Sequence, residues 1–126
     1  MANTKKITKA QIDTLARELR KFLLDRRMWV DTTIYFNGKA FSTDDRHGRY
    51  YCNDPHNLIV LENEDPHRIT EYAGDILTMT FEGPLYDALN YGEPSWRVEE
   101  ELRQVFEKYG LYYELGNAWD LTAYYL

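Results

Sequence analysis

The chain has 126 residues, of which 44% are hydrophobic and 29% are charged, and its net charge is −6 at pH 7. These proportions indicate one folded globular domain over residues 1–126 and exclude an intrinsically disordered chain. A single cysteine excludes an intramolecular disulfide. No window approaches the roughly 18 apolar residues of a membrane span, so we expect a cytoplasmic protein with no membrane partner.

Charge is distributed unevenly along the chain. Residues 1–27 carry eight basic and three acidic residues, a net +5, and the remaining 99 carry seven basic and 18 acidic residues, a net −11. Such a negative field repels phosphates and argues against direct nucleic-acid binding. The acidic residues allow two interpretations. They form a solvated surface, or they imitate a row of phosphates and occupy the site of a DNA-binding protein. They are Glu62, Glu64, Asp65, Glu71, Asp75 and Glu99–Glu101.

The first element is predicted to be a helix over residues 8–26. Thr8 and Gln11 have the spacing of a capping box, in which each side chain binds the backbone N–H of the other residue. Apolar side chains then recur on one helix face. They are Ile12, Leu15, Ala16, Leu19, Phe22 and Leu23. We expect this face to cover a sheet.

A hairpin is predicted over residues 29–43. Asn37-Gly38 favours a type I′ turn, because both central positions of that turn need positive φ. This turn pairs Phe36 with Lys39 and Ile34 with Phe41. One face is then core and the other is exposed to water. The core face carries Val30, Ile34, Phe36 and Phe41, and the wet face carries Asp31, Thr33 and Ser42.

Residues 44–57 are polar and predict an irregular loop that holds the metal candidates. His47, Cys52, Asp54 and His56 lie within ten residues of one another, and such ligands suit zinc. His67 follows a second Asp-Pro pair, but a strand between the two pairs would hold it too far away. The alternative is that Asp-Pro begins turns and the histidines are exposed.

Four shorter elements are predicted in the middle of the chain. The apolar run 58–61 indicates a strand covered on both faces. Asp65-Pro66 indicates an N-cap and a helical stretch to about Tyr72. From residue 76, Leu77, Met79 and Phe81 alternate with polar residues as in a strand with one apolar face. Pro84 then begins a helix that Gly92 ends.

A second long helix is predicted over residues 95–109, with Ser95 as its N-cap and Gly110 after its end. Its apolar stripe is Val98, Leu102, Val105, Phe106 and Tyr109. Together these elements predict a two-layer α+β domain. Its mainly antiparallel sheet has five or six strands, and the two long helices pack against it with shorter helical turns elsewhere.

The last segment predicts a hairpin that turns at Gly116-Asn117. A two-residue turn there leaves neither face polar, so both faces must be covered, either by the chain's own helices or by another chain. The second alternative makes the hairpin an interaction surface for another protein or for a second copy as a homodimer. Its predicted residues are Tyr112, Tyr113, Trp119, Leu121, Tyr124 and Tyr125.

No catalytic motif is present. Ser42 and Ser95 lie outside any Gly-x-Ser-x-Gly pattern, and no Gly-rich phosphate loop occurs. Glu82 and Asp87 flank the Gly-Pro turn but suit acid–base work only if they are buried together. We therefore expect a protein that is not an enzyme and has no cofactor.

Several segments together resemble an uncharacterised family of short acidic proteins carried on mobile elements of gut bacteria. They are Ile34-Tyr-Phe-Asn-Gly-Lys39, Asn53-Asp-Pro55, residues 58–66, Phe81-Glu-Gly-Pro-Leu-Tyr86 and residues 112–120. The resemblance covers nearly the whole chain and implies no activity, cofactor or site residue. It implies an accessory role, with DNA mimicry against host defence among the possibilities.

Overall fold

A six-stranded, fully antiparallel sheet organises the fold. The computed structural model describes residues 6–91 and 96–126, apart from the side chain of Trp96. The strands are β1 (Thr32–Phe36), β2 (Lys39–Ser42), β3 (Ile59–Glu62), β4 (Leu77–Phe81), β5 (Leu111–Leu115) and β6 (Asp120–Tyr125). Their order across the sheet is β3-β2-β1-β4-β6-β5, so β3 and β5 form its two edges. The predicted α+β class is confirmed.

The helices pack on one side of the sheet, which we call the helix face. They are α1 (Lys9–Asp25), α2 (Pro84–Asn90) and α3 (Trp96–Glu107), with a short 3₁₀ helix at Pro66–Arg68. The capping box of Thr8 and Gln11 is present, and Pro84 stands in the first turn of α2 as predicted. Gly92 and Ser95 lie outside the described residues. Within residues 6–91 and 96–126, no helix has the length and apolar character to span a bilayer.

The main core lies between the helix face and the three helices. All six stripe residues predicted for α1 are buried there. The central strands contribute alternate side chains, among them Ile34, Phe41, Met79 and Leu121, each fully buried. Leu102 and Phe106 of α3 complete this core, while Val98 and Tyr109 are partly buried at its margin. The predicted helical periodicities therefore identify the core-facing residues correctly.

The first hairpin has the predicted register. Phe36 pairs with Lys39 and Ile34 with Phe41, and the turn residues Asn37 and Gly38 have φ of 50° and 76°. The prediction that the opposite face is wet is wrong. Tyr35, Ala40 and Ser42 lie on that face and are at most 3% exposed. We call this side of the sheet the outer face.

A loop and a long connection cover much of the outer face. Arg46 of the loop after β2 reaches Tyr35, with Nη2 3.5 Å from the hydroxyl, and pairs with Glu64. We call residues 63–76 the strap. Its Tyr72 carbonyl accepts a 2.9 Å hydrogen bond from Thr122 Oγ1, whose hydroxyl lies 3.1 Å from that of Thr78. The chain therefore covers both faces of its sheet centre.

Three further predictions need correction. The run 58–61 does not form a strand covered on both faces, because β3 is an edge strand and Val60 is 40% exposed. The helical stretch after Asp65 is shorter than predicted, since Pro66–Arg68 is a single 3₁₀ turn. Helix α3 likewise ends at Glu107 rather than near residue 109, and Gly110 with φ of 74° directs the chain into β5.

Candidate interaction surface on the C-terminal hairpin

The turn of the C-terminal hairpin contains three residues, 117–119, between the paired Gly116 and Asp120, rather than the predicted two. The Asp120 carboxylate explains the difference. It is fully buried and accepts hydrogen bonds from the Asn117 backbone N–H at 3.2 Å and from Asn117 Nδ2 at 2.8 Å. Gly116 N–H donates to the Asp120 carbonyl at 3.3 Å. These bonds close a wider turn, in which Leu115 pairs with Leu121 rather than with Ala118, a shift of three residues.

The wider turn changes which side chains share a face. Leu115 pairs with Leu121, Tyr113 with Ala123 and Leu111 with Tyr125, all on the helix face. On the outer face Tyr112 pairs with Tyr124 and Glu114 with Thr122. When the pairing of two strands shifts by an odd number of residues, the side chains of one strand move to the opposite face of the sheet relative to those of the other strand. The predicted hairpin with two apolar faces is therefore wrong, because its outer face is mixed tyrosine, threonine and glutamate.

Three of the six predicted interaction residues belong to the interior. Leu121 is fully buried. The Tyr113 ring lies 5.3 Å from that of Phe106, and burial followed by the charge of Glu99 raises the pKa of Tyr113. Tyr125 is partly buried, and its hydroxyl accepts a 3.0 Å hydrogen bond from the Ile7 backbone N–H. Their apolar area is already covered within the chain.

Tyr112 and Tyr124 form the part of the predicted surface that faces solvent. Their rings lie side by side across the two strands with centroids 5.7 Å apart, and Tyr124 is 37% exposed. The Tyr112 hydroxyl donates to Glu114 Oε1 at 3.3 Å. Desolvation, followed by the neighbouring Glu114 carboxylate, raises the pKa of Tyr112. We call these two residues the tyrosine pair.

Trp119 lies apart from the tyrosine pair, in the turn beside α2. It borders a cavity of about 430 Å³ together with Glu82, Gly83, Tyr86 and Asp87. Both of these carboxylates are exposed to solvent. A carboxylate that acts in acid–base chemistry near neutral pH is typically buried, and this cavity buries neither of the two. The predicted pair Glu82 and Asp87 is therefore brought to one cavity but not into a buried site.

The outer edge of β5 is a feature that sequence reasoning missed. Leu126 N–H donates to Gly110 O at 3.0 Å, and Gly116 N–H donates to Asp120 O. Because hydrogen-bonded positions alternate along an antiparallel ladder, the backbone groups of Tyr112 and Glu114 face β6. Those of Leu111, Tyr113 and Leu115 then point away from the sheet. In the described part of the chain no strand pairs with β5 on that side. We call this side the β5 edge.

The metal candidates do not converge on one point. His47, Cys52 and His56 are all exposed. The Asp45 carboxylate accepts from the His47 backbone N–H at 2.7 Å, and that of Asp54 accepts from the His56 N–H at 2.9 Å. In both cases the carboxylate closes its own turn. Among residues 6–91 and 96–126 no group of three or more potential ligands is close enough to hold an ion.

The Asp-Pro pairs build turns, as the alternative interpretation predicts. The Asn57 side chain and then the His56 N–H lower the pKa of Asp54 by hydrogen bonding. The backbone N–H and ring of His67 lower the pKa of Asp65 in the same way. Both carboxylates therefore accept hydrogen bonds within their own turns.

The acidic residues proposed for DNA mimicry are divided between the two sides of the sheet. Glu64 lies on the strap and pairs with Arg46 at 2.9 Å. Glu99 and Glu100 lie on α3 in the helix layer, and Arg103 is within 3.1 Å and 2.8 Å of them. Glu101 pairs with Arg26. DNA mimicry stays a prediction, but the structure does not arrange these charges as one unpaired row.

Comparisons with protein-family models, with curated proteins and with solved structures give no match to this chain. The resemblance to the mobile-element family therefore stays a prediction. The residues themselves indicate the tyrosine pair and the adjacent β5 edge as the candidate site, with Leu115 at its end 39% exposed.

Proposed function

We propose that this chain is a non-enzymatic module that binds a protein through its C-terminal hairpin. The observation that carries the proposal is the β5 edge, where three residues direct backbone N–H and C=O groups outward beside the tyrosine pair. Addition of a strand to an exposed sheet edge is a recurrent mode of protein recognition. In that mode backbone hydrogen bonds supply affinity and neighbouring side chains supply specificity.

The composition of β5 supports this use of its edge. Natural proteins block sheet edges with proline, lysine or bulges, and Leu-Tyr-Tyr-Glu-Leu contains neither proline nor lysine. Tyrosine is enriched at protein interfaces because it combines a large apolar ring with a polar tip. The opposite edge, β3, is four residues long and has no aromatic side chain. The two edges of one sheet thus differ in what they offer a partner.

Site-specific photo-cross-linking tests the proposal. A photoreactive phenylalanine analogue replaces Tyr124 in one chain and Val60 in another, since the two positions are 37% and 40% exposed. We expect protein cross-links in expressing cells from position 124, and at least fivefold fewer from position 60. The same cross-links decrease when Leu115→Lys is added, because a lysine on the edge opposes strand addition. Equal yields at the two positions, or no effect of Leu115→Lys, would contradict the proposal.

A further inference from the structure

We infer that the partner is a second copy of this chain, joined by antiparallel pairing of the two β5 edges about a twofold axis at Tyr113. This inference rests on the proposed function, because it names the partner of the same edge. An interface of this kind is isologous, meaning that both copies use the same residues.

The backbone geometry suits this axis. Leu111, Tyr113 and Leu115 direct their backbone groups outward and are spaced symmetrically about Tyr113. About this axis Leu111 lies opposite the partner's Leu115, and Tyr113 lies opposite the partner's Tyr113. Each opposed pair exchanges two N–H···O=C bonds, so the three pairs satisfy every outward group of the strand. No outward donor or acceptor of β5 is left without a partner.

The side chains on the outer face favour the same register. Tyr112 faces the partner's Glu114, and Glu114 faces the partner's Tyr112. Within one chain the Tyr112 hydroxyl already donates to Glu114, so this pairing of groups fits their chemistry. An axis moved to Glu114 would place two carboxylates directly opposite, which is unfavourable. An axis moved to Tyr112 would leave Leu115 without an opposed strand residue. The sequence of β5 therefore specifies one register.

The helix face also has room for the second strand. A groove of about 350 Å³ beside the edge is lined by Leu89, Glu99, Tyr113, Glu114 and Leu115. A strand added at the usual spacing of roughly 4.8 Å covers its open side and the exposed part of Leu115. The carboxylate of Glu99 is neutralised by Arg103 at 3.1 Å, which limits repulsion where the two α3 helices approach.

Sedimentation over a range of concentrations tests the association. We expect the mass to rise with concentration from 15.0 kDa toward twice that value. Leu115→Lys is expected to weaken self-association at least tenfold. Val60→Lys, on the other edge at 40% exposure against 39% for Leu115, is the matched control and leaves it unchanged. Circular dichroism establishes that both variants fold.

Disulfide trapping tests the register. Cys52 is first replaced by serine, and Tyr112→Cys and Glu114→Cys are then introduced into separate chains. The two positions form a non-hydrogen-bonded pair in the inferred dimer, where Cα atoms are roughly 4.5 Å apart and a disulfide can close. We expect a disulfide between the two variants when they are mixed under oxidation, and little in either variant alone.

The outcomes separate this inference from the proposed function. A mass that stays at 15.0 kDa at every concentration overturns the second-copy inference. If cross-links from position 124 nevertheless depend on Leu115, the hairpin binds a different protein and the proposed function stands. A dimer that is lost with Val60→Lys but retained with Leu115→Lys overturns the second-copy inference, and cross-links from position 124 that also do not depend on Leu115 overturn the proposed function. A dimer that forms no mixed disulfide overturns the register.

Discussion

The two hairpins of this protein begin from similar sequence signals and reach different structures. Asn37-Gly38 forms a two-residue turn, and both of its residues have positive φ. Gly116-Asn117 does not form a two-residue turn, because Asp120 accepts two hydrogen bonds from Asn117 and the turn becomes residues 117–119. The comparison teaches that a turn motif fixes register only when no nearby side chain competes for its backbone.

The hairpins also differ in what lies beyond them. Strand β2 of the first hairpin is paired with β3, whereas β5 of the second hairpin is the edge of the sheet. On the helix face α1 contacts β1, and α3 contacts β5. Both edges of the first hairpin are thus paired with other strands of the chain, β4 beside β1 and β3 beside β2. The helix layer covers one face of the second hairpin, but no strand in the described part of the chain pairs with its β5 edge. For this reason we assign the proposed function to the second hairpin.

The largest expected effect concerns the core residues of the two hairpins. Ile34 and Leu121 are both fully buried on the helix face. We expect Ile34→Ala and Leu121→Ala each to lower the free energy of unfolding by about 2–5 kcal/mol, because each leaves a cavity in a packed core. Urea denaturation measures both. The two-residue turn would place Leu121 on the face of Tyr112 rather than in this core, so a loss below about 1 kcal/mol at Leu121 would contradict the observed register.

A smaller effect distinguishes the two turn glycines. A Cβ on Gly38 would touch nothing within 4 Å, but the residue has φ of 76°. A Cβ on Gly116 would lie 2.5 Å from Tyr72 Cβ and 2.6 Å from Asp120 Oδ1. We expect Gly38→Ala to cost about 1 kcal/mol through backbone strain. Gly116→Ala should cost about 1–3 kcal/mol because it overpacks the contact with the strap.

Hydrogen exchange separates these two causes. Gly116→Ala should speed exchange in the strap, where Ala73 N–H donates to Thr70 O at 3.4 Å. Gly38→Ala should leave the strap unchanged, since its added methyl group has no neighbour. Equal strap protection in the two variants would contradict a steric role for Gly116 against the strap.

Much of the fold follows from local sequence signals. The α1 stripe, the capping box, the first hairpin and the β4–Pro84 connection are all determined by residues within about one helical turn of each other. The remainder depends on contacts between distant residues. The Tyr72 carbonyl meets Thr122, and Arg46 meets Tyr35, so the burial of the outer face could not be inferred from the alternation of either strand.

The candidate site was predictable only in part for the same reason. The aromatic composition pointed to the C-terminal hairpin, and Tyr112 and Tyr124 do lie at its surface. A two-residue turn predicts Tyr113, Leu121 and Tyr125 at that surface, whereas the observed turn places them in the interior. The position of β5 at an edge of the sheet depends on which distant strands pair with one another, and the local sequence of β5 does not determine that. One available signal was the near-symmetry of Leu-Tyr-Tyr-Glu-Leu about Tyr113.

The smallest expected effect is a loss of stability at high pH, in the helices that cover the second hairpin. Burial, followed by the hydrogen bond to Glu18, raises the pKa of Tyr109 from 10.0 to about 12. Between these values the folded chain keeps a proton that the unfolded chain loses, so stability falls as pH rises. Tyr109→Phe should reduce the slope of the unfolding free energy against pH by the equivalent of about one bound proton. Urea denaturation from pH 9 to about 12 measures this slope.

The comparison of the two hairpins predicts where this loss appears first. Tyr109 follows α3 and its hydroxyl donates to Glu18 of α1 at 2.8 Å, so its ionisation places two negative charges together between the helices. Helix α3 contacts β5, whereas β1 is contacted by α1. Exchange protection should therefore decrease in the second hairpin at a lower pH than in the first, and Tyr109→Phe should remove that difference. Simultaneous loss in both hairpins would mean that α1 and α3 separate from the sheet as one layer.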